Sequence, residues 1–374
     1  MRIVGNRVSA VNLVFLALWL SQPTAFSADT NQILDLSPWS RTTNLRGGAG
    51  YKDNVLLSAT APIDSPFWAT ELEFFLFRIP TEGTQVVLFL NGEDIRFLNS
   101  EAPDKEQTLI ALASVKKDFL RFWKAGLTAQ YLYQDQVFDV STTEVGLNTV
   151  KVQAHGLTAR PSLRRDFGPY YAEVEATLAR QIFIEPLDDY WEGATKLTLG
   201  HEFGPAAKVA LSYEYLWRDY ETRTARTARG APISGASLSF IRQDFDLAWQ
   251  QVWDRKQRWR TTTKLGFGRN SDEGSGYFDY SRYRVSQLLR YVAGAWEAKL
   301  QLRFDHYSFP VQTISDTDPA QRTKDGLGVS FQAERKLNKV LKLYAQFDHE
   351  QSLSNRSDEN YDVNQVRMGV DWTF

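Results

Sequence analysis

Gln365-Val366-Arg367-Met368-Gly369-Val370-Asp371-Trp372-Thr373-Phe374, the last ten residues of the chain, alternate without a break between two kinds of side chain. Val366, Met368, Val370, Trp372 and Phe374 are apolar, and the positions between them are polar, charged or glycine. Successive side chains of an extended strand point to opposite faces, so one face of this segment suits lipid and the other suits water. Working back along the chain, the same division sets Leu341, Leu343, Ala345 and Phe347 against Lys342, Tyr344, Gln346 and Asp348. It sets Trp296, Ala298, Leu300, Leu302 and Phe304 against Glu297, Lys299, Gln301, Arg303 and Asp305. It also sets Val209, Leu211, Tyr213, Tyr215 and Trp217 against Lys208, Ser212, Glu214 and Arg218. From Leu45 to Phe374 such stretches recur, parted by clusters of Gly, Pro, Asn, Asp and Ser, while helical periodicity is nearly absent. Two stretches are weaker. Apolar residues run continuously from Leu109 to Val115, and between Ala172 and Ile184 Arg180 falls on the apolar face, where a bulge would restore the phase.

Connection lengths add the topology. Short links fall at 80–84, 119–122, 167–169, 203–206, 254–257, 293–295 and 337–339. Longer ones alternate with them at 55–66, 99–106, 135–149, 185–190, 221–236, 271–276, 310–322 and 354–360. An up-and-down barrel has short turns at one rim and long loops at the other. Seven short and eight long links imply a closed, all-β, antiparallel barrel of about sixteen strands with both termini at the short-turn rim. Trp123, Trp253, Trp259, Tyr291, Trp296 and Trp372 lie near short turns, and Tyr133, Trp217 and Tyr283 near long loops, as interfacial girdles require.

The first residues read as a secretory signal. Arg2 and Arg7 precede an apolar run from Val11 to Leu20, then Pro23 and the small-residue stretch Ala25-Phe26-Ser27-Ala28. Cleavage after Ser27 makes 1–27 a signal peptide, 28–44 a short periplasmic segment and 45–374 the barrel. Ten or so apolar residues are too few to span a bilayer core of about 30 Å, and no longer apolar run follows, so any membrane crossing is made by strands. A net charge near −2 gives no reason to expect nucleic acid as a partner. The absence of Cys excludes disulfides and thiolate metal sites in an exported chain.

The face opposite the apolar one carries charge of both signs: Glu71, Glu73, Lys124, Arg160, Arg164, Glu173, Glu175, Lys196, Glu202, Asp244, Asp246, Lys342 and Arg367. Arg160 and Arg164 lie one hairpin from Glu173 and Glu175 and are placed to pair with them. One wall departs from balance. Three consecutive strands bring Arg260, Lys264, Arg282, Arg284, Arg290, Lys299 and Arg303 inward against Glu297 and Asp305. A barrel of this strand number encloses an aqueous lumen, and one-sided positive charge favours anionic solutes. The expectation is a passive diffusion channel for small, anionic solutes, unless the Arg-rich stretch 222–237 folds inward and fills it.

Gly48-Ala49-Gly50-Tyr51-Lys52-Asp53-Asn54-Val55-Leu56-Leu57-Ser58, Ser275-Gly276-Tyr277-Phe278-Asp279-Tyr280-Ser281-Arg282-Tyr283-Arg284-Val285 and the ending Asp371-Trp372-Thr373-Phe374 together resemble Gram-negative outer-membrane β-barrels. The resemblance implies an outer-membrane location among lipid and lipopolysaccharide. It also implies a terminal strand read by the barrel-assembly machinery, with Met368, Val370, Trp372 and Phe374 in that role. More narrowly, the Asn/Asp loop and the Tyr-Asp strand resemble barrels of the surface-lipoprotein assembly modifier type. Those place a helical tetratricopeptide domain before the barrel, where this chain has about sixteen mature residues, which argues against export of a client.

Other classes leave weaker traces. An export or assembly role would depend on a periplasmic partner binding 29–41. A lipid hydrolase would use His306 and Ser308, two apart on one strand face, but Tyr307-Ser308-Phe309-Pro310 does not match the outer-membrane phospholipase motif and no orienting Asn follows. His155, His201 and His349 are scattered, no metal-ligand spacing occurs, and no cofactor is implied. A purely structural barrel is the remaining alternative.

Overall fold

The computed structural model describes residues 38–374, apart from 102, 185 and 316. The expected signal peptide and most of the segment after it lie outside the described residues. Among those described are sixteen strands. They run β1 Trp39–Lys52, β2 Ser65–Thr81, β3 Thr84–Phe97, β4 Lys105–Leu120, β5 Trp123–Asp139, β6 Thr149–Phe167, β7 Tyr170–Ile184 and β8 Tyr190–Phe203. The second half is β9 Ala207–Arg226, β10 Pro232–Val252, β11 Trp259–Asp272, β12 Tyr280–Ala293, β13 Trp296–Thr313, β14 Gln321–Lys336, β15 Leu341–Ser354 and β16 Tyr361–Thr373. Each strand pairs antiparallel with its chain neighbours. β1 then pairs with β16, from Asn44 opposite Thr373 to Lys52 opposite Gln365, and closes the ring. Closure removes the sheet edges, so the backbone polar groups of every strand are satisfied within the ring, which is the condition for strands to cross a bilayer.

The seam is tight because it is built from glycine. A Cβ placed on Gly369 would fall 2.0 Å from the Gly47 carbonyl oxygen and 2.6 Å from the Gly48 Cα. On Gly48 it would meet the Tyr344 hydroxyl at 2.4 Å. β1 starts six residues before Leu45, since Trp39–Thr43 pair with β2. This polar run has no apolar alternation to betray it; it is held by the backbone groups that the long strand β2 leaves open there.

The alternation places side chains as expected. Outward positions such as Leu127, Leu157, Leu178 and Met368 form the exposed apolar belt. Near the short turns Trp253, Trp259, Trp296 and Trp372 ring it, with Trp259 and Tyr291 in contact across β11 and β12. The continuous apolar run of β4 has a cause: Ile110 and Leu112 face inward, Leu112 in register with Phe89 of β3 and through it Phe75 of β2, so the inner wall itself is apolar there. Arg180 shows no bulge. Its register with β6 is regular, and it remains on the outer face near the long-loop rim, paired with Asp189 at 3.1 Å and Glu221 at 2.7 Å and stacked over Trp191. Two carboxylates and an indole at headgroup level take the place of the expected repair.

Several long connections are shorter than their sequence implies. β5 runs on to Asp139, and β9 and β10 leave only 227–231 between them. Residues 222–226 and 232–237 are therefore strand. Register shifts between Pro232, Ser237 and Ser239 let Arg223 turn inward.

Candidate solute channel

All seven residues of the basic wall occupy inward positions on β11, β12 and β13. The structure divides them. In the half toward the long loops each Arg meets a carboxylate: Arg282 meets Asp244 at 3.0 Å, on the oxygen that Arg242 leaves open, Arg284 meets Asp246, and Arg303 meets Asp305 at 3.0 Å. Asp244 and Asp246 come from the neighbouring strand β10, which counting charges on three strands alone leaves out. Toward the short turns, Arg290 at 2.8 Å and Lys299 at 3.4 Å share the single carboxylate of Glu297, and Arg260 bonds the Gln257 amide oxygen at 2.7 Å.

Elsewhere around the ring the inner charges are bound into networks. Arg46 reaches Glu71, Glu334 and Asp371 at 3.0 to 3.5 Å, and Arg367 pairs with Glu93 three strands away. Arg164 sits opposite Glu173 in register, yet its guanidinium bonds Asp166 at 2.7 Å and lies over the Tyr171 ring. For Arg164 the expected pairing with Glu173 across that hairpin is thus replaced by a pair within β6.

The long-loop end is narrowed by the chain itself. Lys324 of β14 meets Asp139 at the end of β5 and Ser141 beyond it at 2.7 Å. Connection 140–148 is held further by Glu144 with Arg223 at 2.9 Å and by Asn148 with Asp358 at 3.1 Å. Residues 357–359 form a short 3-10 turn whose Glu359 is sealed against Arg322 at 2.6 Å, both almost wholly buried. Leu57, Val137, Tyr361 and Val363 pack beneath. Between the connections opens a cavity of about 250 Å³ lined by Leu57, Ser58, Asp139, Asn148, Asp358 and Tyr361, large enough for a small solute. The sequence marked none of these residues as lining a cavity, because partners far apart in the chain carry no local signature.

The two rims differ in charge. Among the described residues the eight long connections hold twelve Asp or Glu against Arg229 and Arg356. The seven short ones hold Glu82 and Asp254 against Arg121, Arg255, Lys256, Arg258 and Lys339. A path through the barrel therefore runs from an acidic mouth to a basic one.

On the outside, His306 and Ser308 face away from the lumen near the long-loop rim. The His306 ring meets Asp325 of β14 at 2.6 Å rather than Ser308. Among the described residues no group of three His, Asp or Glu is placed to hold a metal ion.

No family model matches the chain, and no curated protein matches it. Solved structures do match. OccAB1 from Acinetobacter baumannii superposes with a TM-score of 0.50 at 7% identity, over 90% of this chain and 97% of that one. A BenF-like porin from Pseudomonas fluorescens Pf-5 gives 0.49 at 9% identity, over 91% and 100%. An anion-selective porin from Comamonas acidovorans gives 0.43 at 12% identity, over 90% and 99%. At these identities the likeness is one of fold.

Proposed function

We propose that the protein is a passive channel for small solutes in the outer membrane of a Gram-negative bacterium, with a preference for anions set at its short-turn end. One observation carries this: rows of ionised side chains line the inside of a closed ring of sixteen strands, a strand number at which the interior is too wide for side chains alone to fill. The inner ends of β11 to β13 supply more cations than carboxylates, and such a region draws anions. The outward row Met368, Val370, Trp372 and Phe374, with the last two rings stacked, supports recognition of β16 by the barrel-assembly machinery, and the apolar belt supports contact with lipid and lipopolysaccharide.

Conductance of the purified protein in a planar bilayer tests the proposal. Discrete channels with a reversal potential of anion sign are expected across a tenfold potassium chloride gradient. A silent bilayer would discard the channel, and a cation-signed potential would discard the preference.

A further inference from the structure

Arg260, Arg290 and Lys299 stand directly opposite one another on three consecutive strands, Arg260 in register with Arg290 and Arg290 with Lys299. Like charges directly opposite across a sheet destabilise it. Elsewhere on this wall each Arg meets a carboxylate, yet here Arg290 and Lys299 have Glu297 in common and Arg260 is met by an amide. That amide is placed with care. Gln257 holds a left-handed backbone at φ 52°, a conformation costly for a residue with a Cβ. Asp254 fixes it by accepting the Arg258 and Trp259 backbone N–H at 2.6 and 3.1 Å, and the Gln257 N–H bonds the Asp254 carbonyl at 2.9 Å. The Gln257 side-chain oxygen accepts from Arg260, which leaves its NH₂ as a further donor at the same rim.

We infer that Arg260, Arg290 and Lys299 form a binding site for a doubly charged oxyanion of the phosphate class. Two guanidinium forks and an ammonium supply the planar and point donors that such an anion takes up, and its second charge offsets the repulsion that a chloride leaves in part. The site lies at the short-turn end, past the acidic mouth, and it deepens the channel proposed above by naming what the channel holds longest.

The experiment is block of chloride current by inorganic phosphate, added on the side of the short turns in 0.1 M potassium chloride. Millimolar phosphate is expected to reduce the current of the full-length protein, and Arg260→Gln and Lys299→Gln each weaken the apparent phosphate affinity about tenfold, the equivalent of losing one charge-assisted hydrogen bond. Lys196→Gln, which removes the same formal charge from β8, is expected to leave that affinity within about twofold. Chloride current without phosphate block, or equal weakening by Lys196→Gln, overturns the site and leaves the channel standing. Absence of any current removes the channel itself. Heat-modifiable gel mobility confirms that each variant has closed its barrel before it is measured.

Discussion

Lys324 and Asp139 form an ion pair across the barrel although six strands lie between β14 and β5 by the shorter way around the ring. Both side chains are nearly buried, and Ser141 completes the contact. Removing one member of a buried pair leaves the other uncompensated, at a cost of about 3–5 kcal/mol. Lys324→Met is therefore expected to undock connection 140–148, raising its hydrogen exchange and the single-channel conductance. Adding Asp139→Leu removes the stranded charge and is expected to recover part of the lost protection. Equal exchange in the single and double variants would show that the pair is not coupled.

Gly369→Ala tests the seam. Because the added methyl falls on the backbone of β1 and not on a movable side chain, the two strands must part. Closure is expected to fail, leaving a form without the heat-modifiable mobility of a folded barrel. Gly47→Ala, whose Cβ meets nothing within 4 Å, is expected to close normally.

Opposite charge at the two rims predicts rectification. With a Debye length of about 10 Å at 0.1 M salt and about 3 Å at 1 M, the current at opposite voltages of equal size is expected to differ about twofold or more in the dilute solution and to become symmetric in the concentrated one. A current ratio that does not change with salt would assign the asymmetry to shape.

Acidification is expected to tighten the mouth. Burial pushes the Glu144 carboxyl above the usual Glu range, an effect reinforced by Asp188 and opposed by Arg223 and Arg226. A carboxyl with a raised value in the docked connection binds its proton more tightly there than when undocked. Docking is thus weakest above the raised value and strengthens as pH falls through it toward the ordinary Glu range. Hydrogen exchange of 140–148, taken relative to its intrinsic rate at each pH, is expected to slow as pH falls from neutral toward the ordinary Glu range, and Glu144→Gln to flatten that dependence. Faster exchange at the lower pH would reverse the assignment.

The ring itself was legible in the sequence. A strand exposes one face to lipid and one to water, so a period of two residues and the spacing of Gly, Pro and Asn report strand, face and connection together, as Met368 to Phe374 and Trp296 to Phe304 show. Where neither solvent imposes alternation the pattern fades, at the polar start of β1 and in β9 and β10 beyond the belt. Which charges stand alone was decided only by folding. Asp244 neutralises Arg282 from another strand, and Asp139 finds Lys324 across the lumen, because register and ring closure bring together residues whose separation along the chain bears no relation to their distance in space. A sequence records what each residue prefers as its surroundings; pairing between inner faces depends on stagger and curvature, which are properties of the closed ring.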